Sequence, residues 1–486
     1  MRLRDLLPAL PGAGELMQDV CTVTADSRKA VPGSAFFAVP GTKADGLVFA
    51  DEAIARGAVA VVSERPFQSA RPGIANVVVT DVRAALSQAV AALYPRQPES
   101  IVAVTGTSGK TSVAAFVRQM WASLGHAAAS LGTIGIVAPW RTVHGSLTTP
   151  DPVTLHETLQ KLADEGVTHL AMEASSHGLE QRRLDGVRLS AGAFTNLSRD
   201  HLDYHASLED YLAAKLRMFE VLLRPGQPAI VDADSDVAAK VIAACEKRGL
   251  KVMSVGTHGE ALRLAATEPD CLGMRLSLEH AGKTHSVRLP LAGSFQASNA
   301  LVAAGLCIAT GDASERVFGA LEKLEGAPGR LELIGTRAGA PIFVDYAHKP
   351  DALEKALTAL RPLTRERLIV VFGCGGNRDR GKRPLMGEIA ARQADLIVVT
   401  DDNPRAESPA DIRAAILEGA RKVAASKVIE IGDRRAAIAA AVADLRAGDV
   451  LVVAGKGHET GQIVGDKVLP FSDHEAIREA LREHAA

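Results

Sequence analysis

The sequence predicts an α/β protein of three domains: a small α/β N-terminal domain, a central P-loop domain with a mainly parallel sheet, and a Rossmann-like C-terminal domain. Three observations carry this expectation. The chain has 486 residues and is 47% apolar, enough for several cores. Short, mostly β-branched apolar runs alternate with helical patterns along nearly its whole length. Many of these runs end in loops rich in glycine, hydroxyl and charged residues, as the ligand-bearing ends of parallel sheets do. The expected boundaries are residues 1–97, 98–327 and 328–486.

Bulk properties narrow the function classes. A net charge of −2 gives no reason to expect nucleic acid or an anionic membrane surface. No apolar run approaches the ~20 residues of a membrane span. The opening Met-Arg-Leu-Arg-Asp-Leu-Leu-Pro has no h-region of a signal peptide. Cys21, Cys245, Cys271, Cys307 and Cys374 are scattered, so no disulfide or zinc framework is expected and a reducing cytoplasm is.

In the N-terminal domain, strands are expected at Ala35–Val39, Val59–Val62 and Val77–Val79, with helices near Phe49–Arg56 and Arg83–Tyr94. Two polar turns stand out, Ala25-Asp-Ser27-Arg28 and Pro40-Gly-Thr42-Lys43-Ala44-Asp45-Gly46; by themselves they read as surface turns. Tyr94-Pro-Arg-Gln-Pro-Glu-Ser100, with its two prolines, reads as a linker.

The central domain opens on Ile101-Val-Ala-Val-Thr-Gly-Thr-Ser-Gly-Lys-Thr-Ser112, a buried strand, a glycine turn and a helix start. The helix presents Val113, Phe116, Val117, Met120 and Leu124 on one face and stops at Gly125. Free N–H groups, a lysine and a hydroxyl suit a triphosphate with magnesium. The loop is the short form Gly106-x-x-Gly109-Lys110-Thr111; Val104 stands where the usual pattern has its first glycine. Thr168–Glu173 and Gly192–Asn196 read as strands, the second leading into Asp200-His201. Glu173 and His201 would then share the rim of the phosphate loop, able to hold a metal, although histidine is an unusual magnesium ligand.

Ser207 and Asp210 resemble a helix-start capping pair. Along that helix Lys215 has Tyr211, Leu212, Met218 and Phe219 at its i±3 and i±4 positions, an ammonium in an apolar stripe. Either it snorkels, with a buried stem and a wet head, or it is desolvated. A desolvated amine is less basic and can take up carbon dioxide as a carbamate able to bind magnesium. The loop Glu173-Ala-Ser175-Ser176-His177-Gly-Leu-Glu-Gln181-Arg182-Arg183 and the turn Leu147-Thr148-Thr149-Pro-Asp151 offer donors for an anionic substrate. Asn299, in Gly293-Ser-Phe-Gln-Ala-Ser-Asn299, is read as facing a base edge or capping the turn before helix Ala300–Ile308.

The C-terminal strands are expected at Ile342–Val344, Leu368–Phe372, Leu396–Thr400, Val428–Ile431 and Val450–Val453. Four polar loops follow them: Asp345-Tyr-Ala-His348-Lys-Pro, Gly373-Cys-Gly-Gly-Asn377-Arg378-Asp379, Asp401-Asp402-Asn403-Pro404-Arg405, and Gly455-Lys456-Gly457-His458-Glu459. Around one crevice they would suit an amino acid, arginines for its carboxylates and acids for its ammonium.

Together, Thr105-Gly-Thr-Ser-Gly-Lys-Thr, Asn196-x-x-x-Asp200-His201, Gly293-x-Phe-Gln-x-x-Asn299, Gly329-Arg330 and Asp345-Tyr-Ala-His348-x-Pro resemble the Mur ligases, ATP-dependent amide-forming enzymes of peptidoglycan assembly. The match spans nearly the whole chain in the family's three-domain order and accounts for the short phosphate loop. Asp402-Asn403-Pro404-Arg405 resembles the signature of members that add meso-diaminopimelate to UDP-N-acetylmuramoyl-L-alanyl-D-glutamate. The resemblance implies that Gly106, Thr107, Ser108, Gly109, Lys110, Thr111, Ser112, Asn299, Arg330 and Asp345 bind ATP, with His348 a weaker candidate. It implies that Ala25, Ser27, Thr42, Lys43, Ala44, Thr148, Thr149, Ser175, Gln181 and Arg183 bind the UDP-sugar peptide. Leu147 departs from relatives that carry asparagine there. Arg378, Asp402, Asn403, Pro404, Arg405, Gly455 and Glu459 would bind diaminopimelate. Thr111, Glu173, His201 and Lys215 as a carbamate would hold magnesium; Lys110, Lys215, Glu173 and His201 would be catalytic.

The chemistry agrees with that assignment. A carboxylate does not condense with an amine in water, because its leaving group is poor. Phosphorylation by ATP gives an acyl phosphate, which the amine attacks, and positioning with electrostatics does the rest. Partners are then ATP, the UDP-muramoyl dipeptide and diaminopimelate, with no nucleic acid and no membrane span; a cytoplasmic monomer is expected. Domain closure would precede chemistry. A folylpolyglutamate synthetase would be expected to lack the long N-terminal domain and the Asp-Asn-Pro-Arg loop. A nucleotide-gated binding module would leave the amino-acid-like crevice unexplained.

Overall fold

A computed structural model describes residues 1–7, 16–41, 44–69, 71–143, 145, 147–201, 204–423 and 427–483. The chain divides into two compact units, Met1–Arg263 with Leu301–Val317, and Leu264–Ala300 with Phe318–Ala486.

The first unit carries two sheets. Strands β1 (Thr22–Thr24), β2 (Ser34–Phe37), β3 (Ala58–Ser63) and β4 (Ala75–Val78) form an all-parallel sheet in that order. The short β1 was not expected from the sequence. Leu3, Leu6, Phe37, Val62, Val82, Leu86 and Val90 fill one of its cores. The apparent linker that follows is tied down. Gln97 Nε2 donates to the Gly186 carbonyl at 3.0 Å, and its Oε1 accepts the Arg188 N–H at 2.9 Å.

The larger sheet uses β5 (Ser100–Thr105), β6 (Ala128–Gly132), β7 (Gly135–Ala138), β8 (Arg141–Val143), β9 (His169–Glu173), β10 (Ala191–Phe194), β11 (Pro228–Asp232) and β12 (Lys251–Gly256). Their order is β12-β11-β10-β5-β9-β6-β7-β8, parallel through β6 and antiparallel beyond. β5 thus lies between β10 and β9, with Thr105 opposite Phe194 and Val104 opposite Glu173. That register brings the end of β9 and the exit of β10 level with the glycine turn. Helix Lys110–Leu124 buries Val113, Phe116, Val117, Met120 and Trp121, and Gly125 ends it at φ +100°.

Strand β13 (Leu262–Asp270) begins at the β12 edge. In the second unit, β14 (Gly273–His280) and β15 (Lys283–Leu289) pair as a hairpin. The main sheet there uses β16 (Glu332–Arg337), β17 (Ala340–Asp345), β18 (Leu368–Phe372), β19 (Leu396–Val399), β20 (Lys427–Glu430) and β21 (Val450–Ala454). Its order is β16-β17-β21-β18-β19-β20, with only β16 antiparallel. All five expected strands are present. Helices sit over two cores, one including Phe343, Leu357, Phe372 and Met386, the other Ile342, Ile369, Ile438 and Ile477. A hairpin of β22 (Gly461–Val464) and β23 (Lys467–Pro470) follows.

Arg434 and Asp473 form a fully buried ion pair, with Nε–Oδ1 2.7 Å and Nη2–Oδ2 2.8 Å. Arg434 Nη2 also donates to the Ala454 carbonyl at 2.9 Å, tying helices Arg434–Ala443 and Asp473–Glu483 to the end of β21. Breaking such a pair strands a buried charge. Asp473→Ala is expected to lower stability by roughly 3–5 kcal/mol in urea unfolding; a change under about 1 kcal/mol would contradict this role for the pair.

Candidate functional site

The glycine turn is built by close approach. A Cβ on Gly106, at φ +141°, would fall 2.0 Å from Thr195 Oγ1. Only glycine leaves room there. Thr195 Oγ1 donates to the Ser108 carbonyl at 2.7 Å. Asn196 closes the loop: its Oδ1 accepts the Ser108 N–H at 3.0 Å and its carbonyl accepts the Thr107 N–H at 2.8 Å. The Ser198 N–H reaches Thr107 Oγ1 at 3.0 Å. Gly109, left-handed at φ +89°, delivers the chain into the helix, whose first turn buries Thr111 and Ser112.

Lys110 Nζ folds back onto the carbonyls of Gly106 and Thr107, 2.9 Å from each. Lys215 Nζ donates to the same Gly106 carbonyl at 2.7 Å and lies 4.1 Å from the Tyr211 ring centre. Lys215 is 1% exposed, so its head is not in water and the snorkelling alternative fails. Burial, and then the nearby Lys110 charge, hold its pKa well below the lysine range, with Asp200 pulling the other way. Ser207 caps this helix as expected, accepting the Asp210 N–H at 3.1 Å.

Glu173, at the end of β9, is buried. Its Oε1 accepts the Thr133 N–H at 2.7 Å and its Oε2 the Thr133 hydroxyl at 3.1 Å. A Cβ on Gly132 would lie 2.1 Å from Oε1, so this glycine makes room for the carboxylate. Thr133 was not foreseen; it follows β6 and reaches Glu173 only through the sheet. His201 takes φ +53°, stands 3.6 Å from Asp200 and stacks edge-on to His177 at 5.1 Å. Rings continue through Tyr204 and His205 to Tyr211, beneath Lys215.

Among the described residues, no three His, Cys, Asp or Glu side chains gather as a metal cluster. The carboxylate of Glu173 and the hydroxyl of Thr111 nevertheless suit magnesium, which takes one or two carboxylates and completes its shell from phosphates and water.

Thr148, Thr149, Ser175, Gln181 and Arg183 are brought together. Thr148 Oγ1 is 3.0 Å from Thr133 Oγ1. Thr149 Oγ1 donates to the Glu173 carbonyl at 3.0 Å and accepts the Ser175 N–H at 3.0 Å. Arg183 donates to the Thr149 carbonyl at 2.7 Å and to Gln181 Oε1 at 2.7 Å; burial lowers its pKa. Ala25 and Ser27 lie in the turn after β1, where the Ser27 hydroxyl donates to Glu52 at 2.8 Å. Ala44 is exposed. Thr42 and Lys43 lie outside the described residues.

In the second unit Asn299 proves to lie inside a helix, Ser294–Ala309, and does not cap a turn. The left-handed Gly293 starts that helix earlier than its apolar pattern suggested. Asn299 Nδ2 donates to Gln296 Oε1 at 3.1 Å, and Gln296 Nε2 donates to the Arg330 carbonyl at 2.9 Å. The Arg330 guanidinium covers the Tyr346 ring at 4.7 Å. Asp345 accepts the N–H groups of Leu331 at 2.7 Å and Ala347 at 2.8 Å. His348 Nδ1 lies 2.8 Å from the Tyr346 carbonyl, and burial lowers its pKa.

The remaining loops of this unit do share one edge. Gly373 and Gly376 pass so close to β19 and its loop that a Cβ would lie 2.2 Å from the Thr400 carbonyl and 1.9 Å from that of Pro404, respectively. Arg405, at φ +53°, donates through its N–H to the Ile463 carbonyl and accepts the Gly465 N–H. Its Nη1 donates to the Gly376 carbonyl at 3.0 Å. Arg378, in the loop after β18, is exposed and donates to the Asn377 carbonyl at 3.2 Å. Glu407 receives Arg383 at 3.0 Å and the Asn377 N–H, stitching the two loops together. Asp402, Asn403 and Lys456 are buried, and Asn403 donates to Glu459 at 2.9 Å. A Cβ on Gly455 would lie 2.6 Å from Asp402 Oδ2. Arg383, Glu407 and Lys456 carried no role in the sequence reading; the glycines flanking Lys456 were its only signal.

Burial pushes the Asp345 pKa up to about 6, against the Arg330 charge and the two N–H groups. A carboxyl with a raised folded pKa contributes stability below its unfolded pKa and loses it as pH rises through the folded value. Wild type minus Asp345→Asn is therefore expected to lose roughly 2–3 kcal/mol of relative stability between about pH 4 and 7. Parallel denaturation curves for the two proteins across that range would contradict the burial argument.

Three family models match: "Mur ligase family, catalytic domain" over residues 19–97, "Mur ligase middle domain" over 104–307, and "Mur ligase, glutamate ligase domain" over 329–457. A UDP-N-acetylmuramoyl-L-alanyl-D-glutamate–2,6-diaminopimelate ligase of Bradyrhizobium diazoefficiens is 57% identical, with 100% of each chain covered. The enzyme of the same description from Agrobacterium fabrum is 55% identical, with 99% of each covered. A solved structure of a ligase so described superposes with a TM-score of 0.76 at 33% identity, covering 100% of this chain and 99% of the other. Mycobacterium tuberculosis folylpolyglutamate synthase shares the fold alone, with a TM-score of 0.61 at 20% identity over 77% of this chain and 92% of its own. Matched from end to end by such relatives, and built on the three-domain α/β plan that the sequence predicted, the chain belongs to the Mur ligase family.

Proposed function

We propose that this ligase joins meso-diaminopimelate to UDP-N-acetylmuramoyl-L-alanyl-D-glutamate at the expense of ATP, through an acyl phosphate, in peptidoglycan precursor synthesis. The observation that carries this reading is the crevice of the second unit, where Asp402-Asn403-Pro404-Arg405 is braced against Glu459 and the Gly376 carbonyl. The full-length likeness to ligases described by that reaction supports it. The domain limits we propose are 1–97, 98–327 and 328–486.

Each group has a part in this reading. The loop Gly106–Ser112, with Lys110, takes the triphosphate, its N–H groups and ammonium stabilising charge on the transferred phosphoryl. Asn299, Arg330 and Asp345 are further nucleotide contacts. Ala25, Ser27, Thr42, Lys43, Ala44, Thr148, Thr149, Ser175, Gln181 and Arg183 receive the UDP-sugar dipeptide. Arg378, Arg405, Asp402, Asn403, Pro404, Gly455 and Glu459 receive diaminopimelate, the arginines facing carboxylates and the acids an ammonium. Magnesium would be held by Thr111, Glu173, His201 and Lys215 as its carbamate, and would supply charge neutralisation at the phosphates. The low basicity of buried Lys215 leaves a free amine able to take up carbon dioxide. We place the enzyme in the cytoplasm as a monomer; no described helix is long and apolar enough to cross a membrane.

Two tests follow. Incubation of ATP, the nucleotide dipeptide and an equimolar mixture of lysine and diaminopimelate is expected to yield the diaminopimelate product mass. Arg405→Ala should then raise the KM for diaminopimelate by about 100-fold or more, because polar discrimination of this kind reaches ~10⁴-fold. Its KM for ATP should change little; equal losses in both, or a lysine product from wild type, would overturn the assignment. Separately, Lys215→Ala is expected to be nearly inactive and partly rescued by short carboxylic acids. Full activity without rescue would remove the carbamate.

A further inference from the structure

Lys456 is 0% exposed, yet its ammonium stands inside the crevice loops rather than against solvent. Its Nζ lies 3.1 Å from Asn403 Oδ1 and 3.0 Å from Glu459 Oε2. The Asn403 amide closes the triangle, donating from Nδ2 to the same Glu459 oxygen at 2.9 Å. The Ile463 N–H adds a second donor to Asn403 Oδ1 at 2.9 Å.

The chemistry of this triangle is directional. An ammonium is donor-only, and so is a peptide N–H. Both face Asn403 Oδ1, so the reversed amide would set its NH2 against two donors and lose its bond to Glu459. Lys456 and the Ile463 N–H therefore together fix which way Asn403 points. Lys456 also fixes Glu459, because Oε2 is filled by the Asn403 amide and the Lys456 ammonium, whereas Oε1 has no donor among the described residues. Glu459 keeps 33% of its side chain exposed, against none for Lys456, so the carboxylate opens outward from a buried cation. The result is one carboxylate oxygen and one amide hydrogen held side by side, an acceptor for an ammonium next to a donor for a carboxylate. Backbone geometry reinforces the arrangement. Gly457, at φ +53°, passes so close to Tyr346 that a Cβ would lie 2.7 Å from that of Tyr346, so only glycine fits there.

The geometry points to Lys456 as a positioning residue for the amino-acid substrate, acting through Asn403 and Glu459 and not by touching the substrate. This inference rests on the reading of that crevice as the amino-acid site. Removing the cation takes away one of the two donors that orient the Asn403 amide and leaves Glu459 without its charged partner. Charge-assisted bonds in buried settings are strong, so the effect should be large.

The test is steady-state kinetics of Lys456→Met and Lys456→Gln, both neutral and of similar length, with melting curves recorded for each. If the methionine variant does not fold, the glutamine variant carries the test. The expected result is a KM for diaminopimelate raised by about tenfold or more, with the KM values for ATP and the nucleotide dipeptide within about twofold of wild type. A second measurement is a cycle with Glu459→Gln. If Lys456 acts through Glu459, its substitution should cost much less in that background than in wild type. Equal rises in all three KM values, an unchanged KM for diaminopimelate, or fully additive losses would each overturn the inference. These failures are distinguishable from failure of the underlying reading, in which wild type itself forms no diaminopimelate product.

Discussion

One carbonyl oxygen organises the phosphate loop. Both Lys110 and Lys215 donate to Gly106, one from the first turn of the loop's own helix and one from a helix far along the chain. Two ammonium groups so close repel each other, and one of them is sealed from water. Such an arrangement is costly without an anion, and it lowers the proton affinity of the buried partner. The surrounding structure depends on holding that carbonyl in place. Gly106 has no side chain because Thr195 occupies the space, Asn196 clamps Ser108, and β5 is flanked by the two strands whose ends carry Glu173 and Asn196. An electrostatic demand at one atom thus specifies a glycine, a strand order and a capped helix.

Much of this plan was legible in the sequence. The parallel strands were readable because strands buried on both faces are continuous apolar runs, as at Leu368–Phe372, which the structure reproduces residue for residue. The capping pair at Ser207 and the stop at Gly125 were local rules that tertiary structure left intact. Some of the elements that escaped had no apolar signature. Strands β8 and β23 are largely exposed, and their residues give neither alternation nor burial to detect. The stretch Tyr94–Ser100 read as a free linker because prolines punctuate it. Its anchoring depends on Gly186 and Arg188, about which no local pattern informs.

The same distinction holds at the sites. The residues proposed to meet ligands sit at strand ends in conspicuous loops, so Lys110, Glu173 and Arg405 announced themselves. Residues that hold those groups in place did not. Thr133 matters only because β6 lies beside β9, and Lys456 only because Asn403 arrives from the neighbouring strand's loop. The Lys215 stripe was visible, but periodicity could not say whether the ammonium reached water. Burial of its head, against the Tyr211 ring, decided that question.

Arg405 adopts a left-handed backbone that a non-glycine residue takes at a cost of about 1 kcal/mol or more. Bonds to Ile463 and Gly465 hold it there. Replacing this arginine with glycine would thus relax the backbone while discarding the guanidinium. On the proposed reading, backbone energy at this position favours glycine while recognition of a carboxylate needs the guanidinium, so the two demands on residue 405 pull in opposite directions.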